Sequence, residues 1–295
     1  MLKMTGFDVL FAAAGNLYLL LALAGICVAL WLGKTWMRKL IYAVVVLALF
    51  VAPIAPELYR TIEYRSKLVT AQALFDERCK TVGEKVYKTV DNIDGVLLLN
   101  IRQYDRLGIA DNPLWPDAAL PLESGGDDYI RSFLYQEYDG SPDGRRIAPG
   151  DRGYLSVGVS GKPLVMSRGY RFVDVKQTDG SVLRYRLKDQ SKSDLVSEPV
   201  NGMTARYAVS FVNQVSPSDR SHWVAGTIIT LTDTQTNEVI ATRESYSFEP
   251  GLGSRAGGRQ PWRFAVTCPA NSRKLPGVHI TRFFVDQILK PKQAE

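Results

Sequence analysis

Apolar and polar positions change their rhythm near residue 55. From Val9 to Leu32 no charged residue interrupts the run, and Asn16 is its one strongly polar side chain. Twenty-four helical residues span about 36 Å, more than the ~30 Å hydrocarbon core of a bilayer. A core helix of a water-soluble protein would carry a polar stripe, and none is visible here. A second apolar run, Leu40 to Ala55, is aliphatic and β-branched and ends at Pro53 and Pro56. It falls slightly short of a span, and snorkelling by Arg38 and Lys39 with the turn around Trp36 would supply the remainder. The pattern predicts a two-helix transmembrane anchor over residues 1–55 and a soluble domain over 56–295.

In the soluble part, Leu58, Ile62, Leu68, Phe75, Val82 and Val86 recur at helical spacing, which predicts a juxtamembrane helix over 57–90. Asp91, Asn92 and Gly95 break it, and Val96 to Ile101 reads as a buried strand. Tyr104 to Asp128 is rich in proline and glycine and reads as a long loop. Strands are expected at Tyr129–Tyr138, Tyr154–Val159, Tyr170–Lys176, Val182–Leu187, Arg206–Val215, His222–Asp233 and Glu238–Phe248. Asp179-Gly180 and the turn from Thr234 to Asn237 would each close a hairpin. A short C-terminal helix, Val278 to Leu289, has Ile280, Phe283, Phe284 and Ile288 on its apolar face. The fold class is α+β: two N-terminal transmembrane helices, the juxtamembrane helix, a mostly antiparallel sheet and a short C-terminal helix.

Charge sharpens this picture. The net charge is +6, but residues 1–55 hold Lys3, Lys34, Arg38 and Lys39 against Asp8, leaving 32 basic and 29 acidic residues beyond them. A surplus of +3, evenly spread, excludes a nucleic-acid footprint. Gly33 to Lys39 carries three bases and no acid, so the positive-inside rule places it in the cytoplasm and both termini outside. Arg60, Arg65 and Lys67 reduce that asymmetry. The first apolar run is too long for a signal-peptide core of ~7–15 residues. Ile26 before Cys27 is too bulky for a lipoprotein cleavage site, which leaves Cys27 as an ordinary helix thiol. The soluble part has two cysteines, Cys79 and Cys268. In an oxidising compartment the even pair suggests a disulfide. Burial of two free thiols is the alternative, because Cys79 shares an apolar helical face with Phe75, Val82 and Val86.

Two stretches are familiar together: Leu74 to Arg102 (LFDERCKTVGEKVYKTVDNIDGVLLLNIR), and Asp219 to Pro269 with HWVAGTIITLTD, NEVIATRESYSF, AGGRQPW and the closing CP. They resemble a widespread set of proteobacterial membrane-anchored proteins with a periplasmic domain and no assigned activity. The resemblance covers about a third of the chain. It implies a bacterial envelope protein, with its bulk in the periplasm on the inner membrane and both cysteines part of the shared pattern. It brings no catalytic residue.

Candidate chemistry is sparse. There is no phosphate loop, HExxH, CxxC or GxSxG motif. His222 neighbours Asp219 and Ser221, but adjacency in sequence is not triad geometry, and a strand-entry histidine is the plainer reading. His279 reads as a residue that caps or packs beside the C-terminal helix. Asp139, Asp143 and Gly144 lack the spacing and terminal Glu of a calcium loop. Arg255, Arg259 and Arg263 lie among Gly251, Gly253, Gly257 and Gly258, where guanidinium forks and backbone N–H groups would hold an anion or an acidic partner. The alternative is a loop with solubilising arginines. Trp115, among Asp117, Glu123, Asp127 and Asp128, would either anchor a partner or tuck over the core. No metal site and no cofactor are expected. The expected partners are the bilayer and a protein of the envelope. The leading expectation is a non-catalytic binding module, in its sharpest form an immunity protein against a secreted envelope toxin. A structural or accessory subunit of an envelope complex comes second, and a hydrolase centred on His222 third.

Overall fold

The computed structural model describes residues 7–103, 111–134, 136–138, 154–156, 169–188, 194–269 and 279–292. The chain divides into two compact units, 1–67 and 68–295.

The first unit is built from α1 (Phe7–Leu32), α2 (Trp36–Val51) and the start of α3 (Ala55–Cys79). α1 and α2 pack as a hairpin. Gly25 lies at the crossing, where an added Cβ would press on Val46 and Phe50, and the Tyr18 ring meets Phe50 edge-on at 5.3 Å. The Tyr18 hydroxyl donates to the Phe50 carbonyl. Away from this seam α1 exposes Leu17, Leu20, Leu23 and Trp31. α1 is long and apolar enough to cross a membrane, and little of its apolar surface is covered by the rest of the described structure. α2 alone is not. Its 16 residues span about 24 Å, and only together with α3, across a 60° bend, does it reach the length of a span. Pro53 has no N–H with which to continue the ladder, so the helix breaks at Ala52–Ile54. The expectation of two separate transmembrane helices is corrected to one helix of spanning length and a shorter companion.

The second unit contains β1 (Gly83–Val86), β2 (Val90–Ile93), β3 (Gly95–Leu98), α4 (Asp127–Leu134), β4 (Gln136–Tyr138), β5 (Tyr154–Ser156), β6 (Phe172–Lys176), β7 (Val182–Leu187), β8 (Leu195–Pro199) and β9 (Tyr207–Gln214). It continues with α5 (Pro217–Ser221), β10 (Val224–Asp233), β11 (Glu238–Phe248), β12 (Val266–Cys268), α6 (Ile280–Ile288) and β13 (Leu289–Pro291). The main sheet runs β1-β11-β10-β9-β3-β6-β7-β8, and β12 also pairs with β11. It is antiparallel except at β3, which is parallel to both β6 and β9.

Alternation on the long strands decides what each sheet face does. Ala225, Thr227, Ile229 and Leu231 of β10 are fully buried, and Phe211 and Val209 of β9 lie beside Ile229 and Leu231. This face packs against α4 and α6 through Tyr129, Ile130, Phe133, Phe284, Val285 and Ile288. On the opposite face Ile228, Thr230, Thr242 and Ser210 are half-buried, and Val212 is 65% exposed. At one end of that face the α3 residues Ala71 and Phe75 pack on Val224, Tyr246 and Phe248.

Several expected elements take a different form. The helix expected over 57–90 ends at Cys79, and Gly83, at φ +140°, turns the chain into β1. Tyr129–Tyr138, expected as one strand, is helical over Asp127–Leu134. Tyr129, Ile130, Phe133 and Leu134 are all buried, a 1-4-5 spacing that fits one helix face and no strand face. Asp127 and Asp128 occupy its first turn, where carboxylates suit the helix dipole. The Asp179-Gly180 and Thr234–Asn237 hairpins form as expected, with Gly180 at φ +87° and Asn237 at φ +58°.

Candidate functional site

The arginine loop is held from within. Buried Glu249 terminates β11 and turns back on the following loop: its carboxylate accepts the Gly251 N–H at 2.8 Å and the Gly253 N–H at 2.7 Å, and pairs with the Arg259 guanidinium. Arg259 also lies over the Phe264 ring at 4.7 Å and donates to the Ser254 carbonyl. Arg255 reaches Asp111 at 3.5 Å. Arg263 is exposed. Arg255 and Arg259 are therefore committed to carboxylates of this chain, and the Gly251 and Gly253 N–H groups already serve Glu249.

Trp115 is core, not anchor. It is 5% exposed and packs with Trp262, Ala118, Ala119 and Ala225. The acids near it are not displayed together either. Asp117 is buried and Glu123 half-buried, while Asp127 and Asp128 pair with Arg131 on α4. Asp139, Asp143 and Gly144 lie outside the described residues.

The histidines have separate duties. His222 closes α5, with Nδ1 2.9 Å from the Ser218 carbonyl and 3.2 Å from Ser221 Oγ. Asp219, the acid a triad would need, is buried and turned to Arg78 at 3.1 Å. Ser221 Oγ donates to the Ser218 carbonyl. His279 is the N-cap residue of α6, at φ +64°, and its Nδ1 lies 3.0 Å from Ser124 Oγ. Burial, reinforced by the Arg282 charge, holds its imidazole down at about 4.

Cys79 and Cys268 form a disulfide with their Cα atoms 5.8 Å apart. The sheet itself brings them together. β1, just after Cys79, pairs with Ala241–Glu244 of β11, and Cys268 pairs with Tyr246 further along the same edge. Cys27 is a free, exposed thiol on α1.

The largest polar cluster has no motif in the sequence. Arg102, 1% exposed, donates to Asp117 at 2.9 Å and to Thr227 Oγ1 at 3.4 Å, and its guanidinium lies 4.2 Å from the Phe211 ring centre. Asn213 donates to the same Asp117 oxygen, and Thr227 donates to Asn213. Beside it Arg220, also 1% exposed, reaches the Pro116 carbonyl at 3.3 Å and sits over Trp262. Burial pulls the Arg220 guanidinium down to about 10. On the α6 side, Glu123 accepts from the Thr281 N–H and hydroxyl, and burial raises its carboxyl above the usual range. Arg282 donates to the Ser132 carbonyl and to Asp286. Each of these groups connects the 111–134 segment to the sheet or to α6, and none presents a nucleophile beside a base. The cluster is an internal polar seam.

Among the described residues, no group of three or more His, Cys, Asp or Glu side chains is placed to hold a metal ion. Comparison of the chain with protein-family models, curated proteins and solved structures gave no match.

Proposed function

We propose that the protein is a non-catalytic binding protein of the bacterial inner membrane, of the proteobacterial membrane-anchored kind its two familiar stretches resemble. In this reading α1 and α2 both enter the bilayer and the sheet domain lies in the periplasm, where it captures another protein. The sharpest form is an immunity protein that neutralises a secreted, envelope-targeting toxin. The observation that carries the reading is the Cys79–Cys268 bridge in a chain whose α1 is long and apolar enough to cross a membrane. Structural disulfides persist in oxidising compartments and are rare in the reducing cytosol. Lys34, Arg38 and Lys39 at the α1–α2 turn favour a cytoplasmic turn, which leaves the domain outside. Binding is favoured over catalysis because Asp219 is turned to Arg78 and the Ser221 hydroxyl donates to the Ser218 carbonyl, so the pair of His222 and Ser221 is not completed to a triad. The sheet also keeps one face open, with Val212 exposed and Ile228 and Thr230 half-buried.

The test is membrane-impermeant thiol labelling of intact cells carrying Cys27→Ala, with and without reductant, followed by photocrosslinking from position 212. Cys79 and Cys268 are expected to label only after reduction, and position 212 to crosslink one dominant envelope protein. Labelling that needs no reductant but requires an opened inner membrane would place the domain in the cytoplasm and end this reading. Absence of any crosslinked protein from position 212, with the domain outside, would remove the capture role and leave the location intact.

A further inference from the structure

We infer that α3 carries a second interface on the helix face opposite Leu68, Ala71 and Phe75, and that its occupant is α3 of a second copy of this chain, in a parallel pair. The argument begins with the helix itself. Leu68, Ala71 and Phe75 face inward, with Ala71 fully buried and Phe75 7% exposed against Val224, Tyr246 and Phe248. At about 100° per residue, these three positions point in one direction. Ala55, Tyr59, Ile62, Ser66, Val69 and Ala73 form a second row, about 160° around the helix from the first. Every one of them is exposed: Tyr59 by 69%, Ile62 by 59% and Val69 by 70%.

The spacing of this row is 4-3-4-3-4, the seam of a two-stranded coiled coil, with Tyr59, Ser66 and Ala73 at a and Ala55, Ile62 and Val69 at d. The seam is about 27 Å long. In a parallel pair the flanking g and e′ positions bring Leu58 to Glu63 and Arg65 to Thr70, so no like charges oppose one another.

Charge distinguishes this occupant from lipid headgroups. A helix that lies on an anionic bilayer is rich in unpaired Lys and Arg on its polar face. On α3, Arg60 is paired with Glu57 at 2.9 Å and Lys67 with Glu63 at 2.7 Å. The row is also a narrow seam of alternating small and mid-sized residues, whereas an in-plane membrane helix buries a broad apolar face. Fewer than three heptads associate weakly when free in solution. Copies held in one membrane by α1 meet in a common orientation at high local concentration, which compensates for the short seam. The parallel orientation rests on the membrane-anchored reading above, while the seam rests on α3 alone.

The test uses the full chain in native membranes, in a Cys27→Ala background, with single substitutions Ile62→Cys, Val69→Cys and Lys67→Cys and a short bismaleimide crosslinker. Lys67 occupies a b position, outside the seam. Ile62→Cys and Val69→Cys are expected to give a crosslinked dimer of twice 32.8 kDa at a yield about tenfold or more above Lys67→Cys. Ile62→Lys combined with Val69→Lys is expected to abolish the dimer seen by native sizing in mild detergent, while the Cys79–Cys268 bridge, read from non-reducing mobility, stays closed. Equal yields at all three positions, or no dimer at any, overturn the inference. Protection of positions 62 and 69 from impermeant maleimide without crosslinking, relieved by detergent, assigns the seam to lipid and overturns it equally. In each of these failures, labelling of Lys67→Cys from outside the cell still reports whether the anchored, extracytoplasmic reading stands.

Discussion

Removing the Cys79–Cys268 bridge offers a direct test of how the domain is held together. The perturbation is Cys79→Ala with Cys268→Ala in the Cys27→Ala background. The bridge closes a sequence separation of 189 residues, and the chain-entropy relation gives about 5 kcal/mol for a loop of that size. The native contacts around it do not depend on it. β1 and β12 pair with successive parts of the same β11 edge, and Phe75 packs on Phe248 at 5.6 Å. The bridge therefore acts on the unfolded chain, and the variant is expected to fold to the same structure with a lower unfolding free energy. Urea unfolding in mild detergent, followed by tryptophan emission, reads the sheet domain through Trp115, Trp223 and Trp262, which cluster together. With a slope of about 3 kcal/mol per molar urea, the midpoint is expected to fall by about 1.7 M. Reduction of the wild-type protein is expected to produce the same shift. A midpoint lowered by less than about 0.3 M in both experiments would refute the reasoning, because the loop would then have been constrained without the bridge.

Three further outcomes are expected. Arg102→Met leaves Asp117 buried without its cation and lowers stability by about 3–5 kcal/mol, whereas Arg102→Met with Asp117→Leu loses clearly less; urea midpoints of the single and double variants decide this, and equal losses count against a buried-charge origin. Trp115→Ala lowers stability by about 3–5 kcal/mol through the cavity left beside Trp262, read from the urea midpoint of the full chain; an unchanged midpoint would count against a core role for Trp115. His279, held down at about 4 against an ordinary 6.5, contributes stability that is fully present above pH 6.5 and lost as pH falls through 4, about 3 kcal/mol in all. His279→Asn, which tolerates the left-handed backbone, removes that slope, and the difference between wild type and variant isolates it from Glu123, whose raised carboxyl pulls stability the opposite way.

Much of the sheet was legible because its signals are local. β7 and β11 occupy the residues their alternation predicts, and β9 and β10 differ only at their ends. α4 was misread because Tyr129, Ile130 and Phe133 are strong strand formers, and burial against Phe211 and Tyr170 overrides that preference. The four-residue strand β1 was absorbed into an overlong helix, since Val82 and Val86 continue its period past Gly83, while β2 lies almost wholly beyond that helix, where Asp91 and Asn92 read only as a break. The polar seam was not legible at all. Arg102 meets Thr227 across 125 positions and Asp117 meets Asn213 across 96, and no spacing rule reaches that far. The arginine loop misled for a related reason: Glu249, which takes the Gly251 and Gly253 N–H groups and the Arg259 guanidinium, precedes the glycines and arginines from which the loop was read.

The same long-range pairs explain why the described part of the domain has polar groups at its centre. Between Asn112 and Gly126 the chain has one 3-10 turn, Pro116–Ala119, so it has little secondary structure to fix its path over the sheet. Hydrophobic contact alone would hold it loosely, since Trp115, Ala118 and Ala119 slide over Ala225 without a strong register. Directional bonds supply the register at three points: Asp117 to Arg102 and Asn213, the Ala118 carbonyl to Ser247, and Asn112 to the Trp262 indole. Each point binds the segment to a different part of the sheet domain, so a shift of one residue breaks all three together. Buried charge is a costly way to gain stability but an effective way to exclude alternative packings. Arg102 and Asp117 fit that purpose, and their burial makes them poor candidates for meeting a partner. The two surfaces proposed above for recognition, the sheet face around Val212 and the exposed row on α3, are among the described residues that the seam does not use.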